Sequence, residues 1–410
     1  MRVLLLHNRY RFSGGEDVAA GAEADLLRER GIDVRTFEER NEFRSAAQTV
    51  KLVWDSSWSR RSYASVQSVC RQFRPDVAHV HNFWMGLTPS VHAACHDAGV
   101  PTVQTLHNYR LLCVNALLLR DDKVCEDCIG RAPWPGVVHR CYRNSGIASA
   151  AMLRMILENR ARKTWIRHVQ AFITPSEYSR SKFIAAGMRP DNIFVKPNVV
   201  PDSDDTHSRP SASRMILYSG RLSEEKGLPA LLDAWSRVPD RGDACLCIAG
   251  GGPSRDTLRH RATGLGIGVP VLEFVGEKSR AEIRLLLASA RAAVLPSVAP
   301  ESFSMTAAEA LSMGRPVIAS RHGALEEIVR HGQTGWLVPP GDVDALSGAL
   351  TDALHDPVTA DRLGEGARRE YLKSFSTDRN FETLIRIYGT AIGEPARWQS
   401  SRQDACGSAH

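Results

Sequence analysis

The sequence predicts an α/β protein built as two doubly wound parallel-sheet domains in succession. Three observations predict it. The chain has 410 residues, too many for one ordinary core. Short apolar runs alternate with helical stretches along nearly all of it, as in sheets whose strands are joined by crossover helices. One segment alone, midway, lacks an apolar period. Two such domains turn the carboxyl ends of both sheets toward a central cleft, where ligands of open α/β sheets bind.

The first domain spans residues 1–197. It opens with a strand at 2–7, a loop holding Gly14 and Gly15, and a helix over 16–30 that Gly31 stops as a C-cap residue. Glycine at such a turn permits a positive φ and the close approach of a ligand. Apolar strands recur at 33–37, 77–80, 102–106, 171–174 and 193–196. Residues 198–213, NVVPDSDDTHSRPSAS, read as an interdomain linker because Pro, Ser and Asp replace any periodic pattern. The second domain, 214–376, repeats the alternation with strands at 215–219, 244–249, 272–275, 292–295, 316–319 and 335–338. A final helix covers about 377–392, and the small polar residues of 395–410 read as a disordered tail.

Composition sets bounds on function. A hydrophobic fraction of 43% with 24% charged residues suits a globular protein in water. No run approaches the roughly 18 apolar residues of a membrane span. The opening MRVLLLHNRY is too briefly apolar for an export signal and lacks a small-residue cleavage site. A cytoplasmic protein is expected. Residues 1–200 hold 28 Lys and Arg against 19 Asp and Glu, and the remainder 24 against 27. The basic first half suits an anionic membrane at the inner face, an acidic acceptor, or a solvated Arg-rich surface. Nucleic acid is not an expected partner, since no ribonucleoprotein, finger or basic-zipper pattern occurs. Residues 147–169 read as one helix with a basic flank, either lying on a membrane or facing the core.

Nine cysteines, an odd count without an export signal, argue against a disulfide framework. Cys113, Cys125, Cys128 and Cys141 form C-x11-C-x2-C-x12-C, a spacing that suits a structural zinc bracing an insertion with little core of its own. His139 is a substitute ligand, and a reduced buried set is the competing reading.

The chemistry concentrates in LPSVAPESFSMTAAEALSMGRPVIAS, residues 295–320. A strand ends near Pro296 and a helix begins near Met305 or Thr306. The amides of Ser302, Phe303, Ser304 and Met305 then lie at a helix N-terminus, ready for a phosphate or a sugar hydroxyl. Glu301 and Glu309 are too far apart to act on one atom but can grip two ends of an extended ligand. Carboxylates accept from vicinal hydroxyls, so Glu309 suits a ribose and Glu301 a hexose. Both could instead only complement the helix dipole. In SGRLSEEKG, residues 219–227, Arg221 and Lys226 place two cations just past a strand end, suited to a diphosphate.

These motifs resemble the family-4 retaining glycosyltransferases of the two-Rossmann-domain kind called GT-B. Glu301 and Glu309 match that family's E-x7-E pair, and GRPVIAS at 314–320 and GQTGWLVPPGD at 332–342 match its following runs. Ser304 stands where relatives often carry glycine. The resemblance implies that Glu301 meets the donor sugar, Glu309 the ribose, and Arg221 and Lys226 the phosphates. It also places AGGGP at 249–253 and VGEKSR at 275–280 beside the donor, with Gly276 near the base. It makes Gly14 and Gly15 part of the cleft, and puts His107 of TLHNYR against the donor sugar. His81, Asn82 and Asn108 are acceptor-side candidates. The final helix is expected to brace the first domain.

The implied function is transfer, with retention, of a hexosyl unit from a UDP- or GDP-sugar to an unidentified acceptor in glycan, glycolipid or secondary-metabolite synthesis. No divalent ion or other cofactor is required for that chemistry. A nucleotide-sugar epimerase of the same fold would release product without an acceptor. A non-catalytic sugar-nucleotide binding module would show donor affinity without transfer or hydrolysis.

Overall fold

A computed structural model of the chain describes residues 1–9, 14–40, 55–202 and 208–393. The tail expected at 395–410 and the centre of the segment expected as a linker, 203–207, lie outside the described residues.

Two six-stranded parallel sheets organise the chain. In the first, β1 (Arg2–Arg9), β2 (Asp33–Arg40), β3 (Val77–Asn82), β4 (Thr102–Thr105), β7 (Ala171–Thr174) and β8 (Ile193–Val195) run in the order β2-β1-β3-β4-β7-β8. In the second, β9 (Met215–Ser219), β10 (Cys245–Ala249), β11 (Leu272–Gly276), β12 (Ala292–Leu295), β13 (Val317–Ser320) and β14 (Gly335–Val338) run β11-β10-β9-β12-β13-β14. That second order, 3-2-1-4-5-6, is the one in which strand sequence reverses beside the first strand and opens a binding crevice. A short antiparallel pair, β5 (Leu119–Arg120) and β6 (Lys123–Val124), falls within the insertion.

The apolar runs are continuous because both faces of each sheet are covered. In the second sheet, Ile216, Leu246, Ile248, Val294 and Ile318 join one core, while Leu217, Cys247, Ala293, Leu295 and Val317 join another on the opposite face. Alternate residues of one strand thus feed two cores, as the two-residue period of a strand requires. Both sheets are therefore doubly wound.

By contacts the chain divides into two units. One comprises Met1–Leu117, Glu126–Val199 and the chain from Thr377 onward; the other comprises Leu118–Cys125 and Val200–Ser376. The helix Thr377–Ile392 belongs to the first because Leu384, Ile387 and Tyr388 complete a core with Val3, Val77, Val103 and Ile173.

Three local expectations differ from the structure. Residues 208–213 are not free of the second unit: Ser211 binds Asp361 through its amide and hydroxyl, both at 2.7 Å, and Pro210 is buried. The helix expected over 147–169 breaks into Gly146–Ala161 and Thr164–His168, with Lys163 in the left-handed region at φ 56. Its apolar residues Met152, Leu153, Met155 and Ile156 are buried in the unit, so the core-facing alternative describes this helix. Gly14 is extended at φ −125 and Gly15 begins the helix Gly15–Glu29, so the positive φ expected of that pair is not used.

Candidate functional site

In the second unit the predicted residues gather at the switch point between β9 and β12. These are adjacent strands, Ala293 of one lying opposite Leu217 of the other. The loop after β9 carries Arg221 and Lys226; the loop after β12 carries Glu301 and runs into the helix Met305–Ser312. Lys226 Nζ lies 2.9 Å from Glu301 Oε1, and Ser297 Oγ donates to the same oxygen. Backbone bonds tie the loops together. The amides of Val298 and Ala299 both donate to Glu225 O, at 2.9 and 3.2 Å, and Thr306 Oγ1 donates to Ser219 O at 3.1 Å. The Glu301 carbonyl accepts from Ala324 N at 2.9 Å, and His322 Nε2 donates to Ser297 O at 2.7 Å. Burial holds the His322 ring below its usual pKa, so it is neutral at pH 7.

Two glycines permit this closeness. Gly227 sits at φ +69, and a Cβ there would fall 2.0 Å from Pro296 O. Gly250, at φ +150, brings AGGGP against the β9 loop, where a Cβ would fall 1.9 Å from Gly220 O. That packing, with Leu222 N donating to Gly251 O at 2.8 Å, shapes the turn that presents Arg221. Arg221 itself is exposed, and Tyr218 Oη donates to its carbonyl at 2.8 Å. Gly276 is left-handed at φ +75, with open space where a Cβ would stand.

The helix Met305–Ser312 starts where the sequence placed it, with Ser304 as N-cap. Ser304 Oγ accepts from Ala307 N at 3.4 Å, which explains why a residue other than glycine serves there. No acceptor among the described residues meets the amides of Phe303, Ser304 or Met305. Such orphan donors carry the positive end of the helix dipole and suit an anion. Glu309, one turn further, is buried and lies 3.4 Å from Arg280 Nε. Burial raises its carboxyl pKa, against the opposing pull of Arg280 and Arg284.

The first unit brings a second constellation to the ends of β1, β3 and β4. His107 is buried just past β4, its Nε2 2.9 Å from His81 Nδ1. His81 Nε2 lies 3.1 Å from Glu23 Oε1, and His79 Nδ1 lies 2.8 Å from the same oxygen. Lys196 Nζ takes the other oxygen, Oε2, at 2.8 Å. Burial alone would push the Glu23 carboxyl up, but Lys196 and the two histidines outweigh it and hold it well below the usual range. Burial lowers His81 to about 4 and His107 well below its ordinary value.

The remaining first-unit candidates are engaged locally. Asn82 Nδ2 donates to Asn8 O at 2.8 Å and its Oδ1 accepts from Trp84 N at 3.1 Å. Asn108 Nδ2 donates to Glu16 Oε1 in the first turn of Gly15–Glu29. Gly14 N donates to Asp17 Oδ2 at 2.9 Å, and Asp17 Oδ1 meets His7 Nε2 at 2.7 Å.

Glu23, His79 and His81 form the only group of three metal-ligating side chains that converges among the described residues. Cys113, Cys125, Cys128 and Cys141 do not form one; Cys113 Sγ donates to Asn115 Oδ1 at 2.9 Å, and none of the four is in a disulfide. Glu23 and Lys196 were not foreseen from the sequence. The alternation His79-Val80-His81 could have signalled two imidazoles on one face, but Glu23 lies 56 residues before His79 and Lys196 lies 115 residues after His81.

Comparison with known proteins covers the chain in two parts. Residues 14–204 match the model described as Glycosyltransferase Family 4, and residues 200–370 that described as Glycosyl transferases group 1. A glycogen synthase of Mycobacterium tuberculosis is 30% identical over 327 residues, covering 78% of this chain and 69% of the relative. A phosphatidyl-myo-inositol mannosyltransferase of Mycobacterium leprae is 31% identical over 191 residues, covering 46% of this chain and 50% of that protein. Among solved structures, HepE of Anabaena in complex with UDP superposes with a TM-score of 0.66 at 20% identity, covering 94% of this chain and 98% of HepE. The two-sheet architecture is thus that of the GT-B fold.

Proposed function

The chain belongs to the family-4, group 1 glycosyltransferases, and from that membership we propose that it transfers a hexosyl unit, with retention, from a UDP- or GDP-sugar to a hydroxyl acceptor. The observation that carries this reading is the Lys226–Glu301 contact at the β9/β12 switch point, with exposed Arg221 and three orphan amides in the adjoining loops. A cation, a sugar-binding carboxylate and a helix N-terminus in one crevice suit an anionic leaving group joined to a polyhydroxylated ring. HepE, which shares the fold, has been solved with UDP-glucose, and this supports UDP-glucose as the first donor to try.

In this reading the C1–O bond to the diphosphate breaks as the acceptor oxygen bonds to C1 on the same face. The acceptor proton passes to the departing phosphate oxygen. Arg221, Lys226 and the amides of Phe303, Ser304 and Met305 stabilise the negative charge that builds on the leaving group. Contacts that strengthen in this way raise the rate and not only affinity. Glu301, held by Ser297, accepts from hexose hydroxyls, and Glu309, held by Arg280, accepts from the ribose diol. Ser302 and Gly276 line the donor, the latter beside the base. By the family resemblance, Gly14, Gly15 and His107 are the donor-side candidates of the first unit, and His81, Asn82 and Asn108 its acceptor-side candidates.

The first unit also exposes Trp134, Val138, Ile147 and Ile166, and Arg131, Arg140, Arg143 and Arg167, near them in sequence, are exposed too. Exposed apolar and cationic side chains in one stretch of chain suit peripheral contact with an anionic membrane and hence a lipid-linked acceptor. No helix among the described residues is long and apolar enough to cross a membrane. A structural zinc on Cys113, Cys125, Cys128 and Cys141 would show as one equivalent of the metal in purified protein.

The test is UDP release from UDP-glucose, and GDP release from GDP-mannose, by wild type and by Arg221→Ala/Lys226→Ala. Loss of turnover beyond hundredfold is expected, since each charged contact contributes about 1.5–3 kcal/mol. Unchanged turnover in the double variant would overturn the reading.

A further inference from the structure

Arg214 and Arg291 each stand immediately before an apolar strand, β9 at Met215 and β12 at Ala292, and those strands are neighbours in the second sheet. Parallel pairing therefore brings the two arginines to one edge of the sheet, where Arg291 N donates to Met215 O at 2.7 Å. Both line a cleft of about 590 Å³, a size that suits a small molecule. Leu354 and Pro357 form an apolar part of its wall, and Asp243 and His355 also line it. All of these residues belong to the second unit. The loops carrying Arg221 and Glu301 leave the carboxyl ends of the same strands, at Ser219 and Leu295, so the cleft lies at the opposite edge of the sheet from them.

Arg291 is 3% exposed, yet its guanidinium makes no ion pair among the described residues. Its Nε donates to Ser213 O at 2.6 Å and its Nη2 to Ser211 O at 3.2 Å, which clamps the segment entering β9. Its Nη1 is buried without an acceptor. A buried guanidinium ordinarily has its charge paired and its donors used. Burial and the nearby charge of Arg214 hold the Arg291 pKa below its ordinary value, with Asp361 opposing them. Asp361 is itself engaged by the amide and hydroxyl of Ser211. Arg214 has a weaker competitor. Its Nε lies 2.8 Å from Asp243 Oδ1, but that side chain is 85% accessible, and an ion pair so exposed contributes little. Arg214 Nη2 donates to Arg241 O at 2.9 Å, and His355 Nε2 to Asp240 O at 3.2 Å.

We propose that this cleft binds a phosphate group, free or carried by a small ester, between Arg291 and Arg214. A phosphate supplies the acceptor that Arg291 Nη1 lacks and displaces Asp243 from the fork of Arg214. It brings about two negative charges to a wall that carries two guanidinium groups. A carboxylate brings one charge and fewer oxygens, and is the poorer match. The cleft is larger than a phosphate group fills, so Leu354 and Pro357 remain to meet the rest of an ester. Since Arg291 also holds Ser211 and Ser213, occupancy steadies the docked end of the segment that leads into β9. The site lies beyond the transferase reading and does not rest on it.

The experiment is isothermal titration of the full chain with inorganic phosphate and with ribose 5-phosphate. It is made in Arg221→Ala/Lys226→Ala, so that the loops at the opposite edge of the sheet do not contribute. One equivalent of phosphate is expected to bind and to raise the melting temperature, as a ligand of the native state does. Arg214→Gln, added to that variant, should weaken binding roughly tenfold or more, the scale of a hydrogen bond to a charged group. Asp243→Asn should tighten it by removing the competing carboxylate, a gain that a purely structural role of these residues does not produce. Arg291→Lys should weaken it too. Arg291 also clamps the backbone, so the melting temperature of that variant is read alongside, and Arg214→Gln and Asp243→Asn carry the test if it fails to fold. Tighter binding of ribose 5-phosphate than of phosphate assigns the site to esters, and equal binding assigns it to the free anion; both outcomes support the proposal. Absence of binding in Arg221→Ala/Lys226→Ala, or binding that neither Arg214→Gln nor Asp243→Asn alters, would overturn it. UDP release by wild type tests the transferase reading separately, so either can fail alone.

Discussion

Lys226 Nζ and Glu301 Oε1 are 2.9 Å apart although 75 residues separate them in the chain. The contact joins the two loops that leave β9 and β12, and it is partly exposed, with side chains 26% and 12% accessible. Alone, such a pair contributes little to folding, about 0–1 kcal/mol. Removing either partner should therefore change function far more than stability. Lys226→Ala and Glu301→Gln are expected to melt within a few degrees of wild type while losing turnover with UDP-glucose roughly tenfold to hundredfold. Differential scanning fluorimetry beside UDP release checks this, and a large drop in melting temperature with retained activity would refute it.

Glu309 and Arg280 make a different case. The carboxylate is 6% exposed, so replacing Arg280 leaves a buried acid with less to hold its charge. Arg280→Met should raise the Glu309 pKa further and weaken UDP binding most at low pH, where the protonated acid no longer accepts from both ribose hydroxyls. Isothermal titration at pH 6 and pH 8 measures it; equal weakening at both would separate Glu309 from ribose recognition.

Gly227 is the position where backbone alone can be tested. At φ +69 with Pro296 O in the way of a Cβ, alanine must displace the β12 loop and Glu301 with it. Gly227→Ala is expected to lower stability by about 1–3 kcal/mol and to weaken donor binding beyond what the stability loss explains. Urea unfolding together with UDP titration provides the two numbers.

Much of this was legible in the sequence, for reasons that differ by residue. The strands of both sheets could be read because strands buried on two faces make continuous apolar runs, as Val3 to Leu6 and Ala292 to Leu295 do. The helix start at Met305 was legible from the cap residue Ser304. That the loops carrying Lys226 and Glu301 serve one ligand was legible from their places at strand ends of one sheet; the direct contact between the two side chains was not. Lys196 and Glu23 were not legible. A lysine at the end of an apolar strand and a glutamate inside a helix are ordinarily solvent-facing, and nothing local shows that they meet. The docking of 208–213 was hidden for a similar reason: its anchor, Asp361, lies 150 residues beyond Ser211. Gly14 and Gly15 show the opposite failure, since a glycine pair suggested backbone freedom that the structure does not use.

Lys196 is the buried cation on which the first unit depends. Its Nζ is shared by Glu23 Oε2 and, at 2.9 Å, by Asn380 Oδ1 of the helix Thr377–Ile392. Asn380 Nδ2 in turn donates to Pro197 O at 2.6 Å. Lys196→Met leaves Glu23 ionised and short of a partner, a loss of about 3–5 kcal/mol for a broken buried pair. Adding Glu23→Gln removes the orphaned charge and should recover a good part of it. If the double variant is no more stable than the single, charge pairing is not what Lys196 supplies.

The same cluster sets the acid limit of the fold. His81 is held neutral in the folded chain with a pKa of about 4, and His107 is also lowered, whereas a free imidazole titrates near 6.5. Between those values the unfolded chain binds protons that the folded chain does not, so stability must rise with pH there. Glu23 adds to this in the same direction. Its folded pKa is depressed, so its contribution is present above its unfolded value of about 4.5 and is lost as the pH falls further. Stability should therefore hold steady from pH 8 to 7, decline below about 6.5, and fall steeply toward pH 4. The shift of His81 alone corresponds to roughly 3 kcal/mol across that window. In His81→Leu this part of the decline should shrink while the rest persists, from His107, from Glu23 and from His92, which burial also lowers to about 4. Urea unfolding at half-unit steps of pH, in both proteins, measures the difference; parallel curves would mean that His81 protonates freely in the folded state and is not buried as a neutral link.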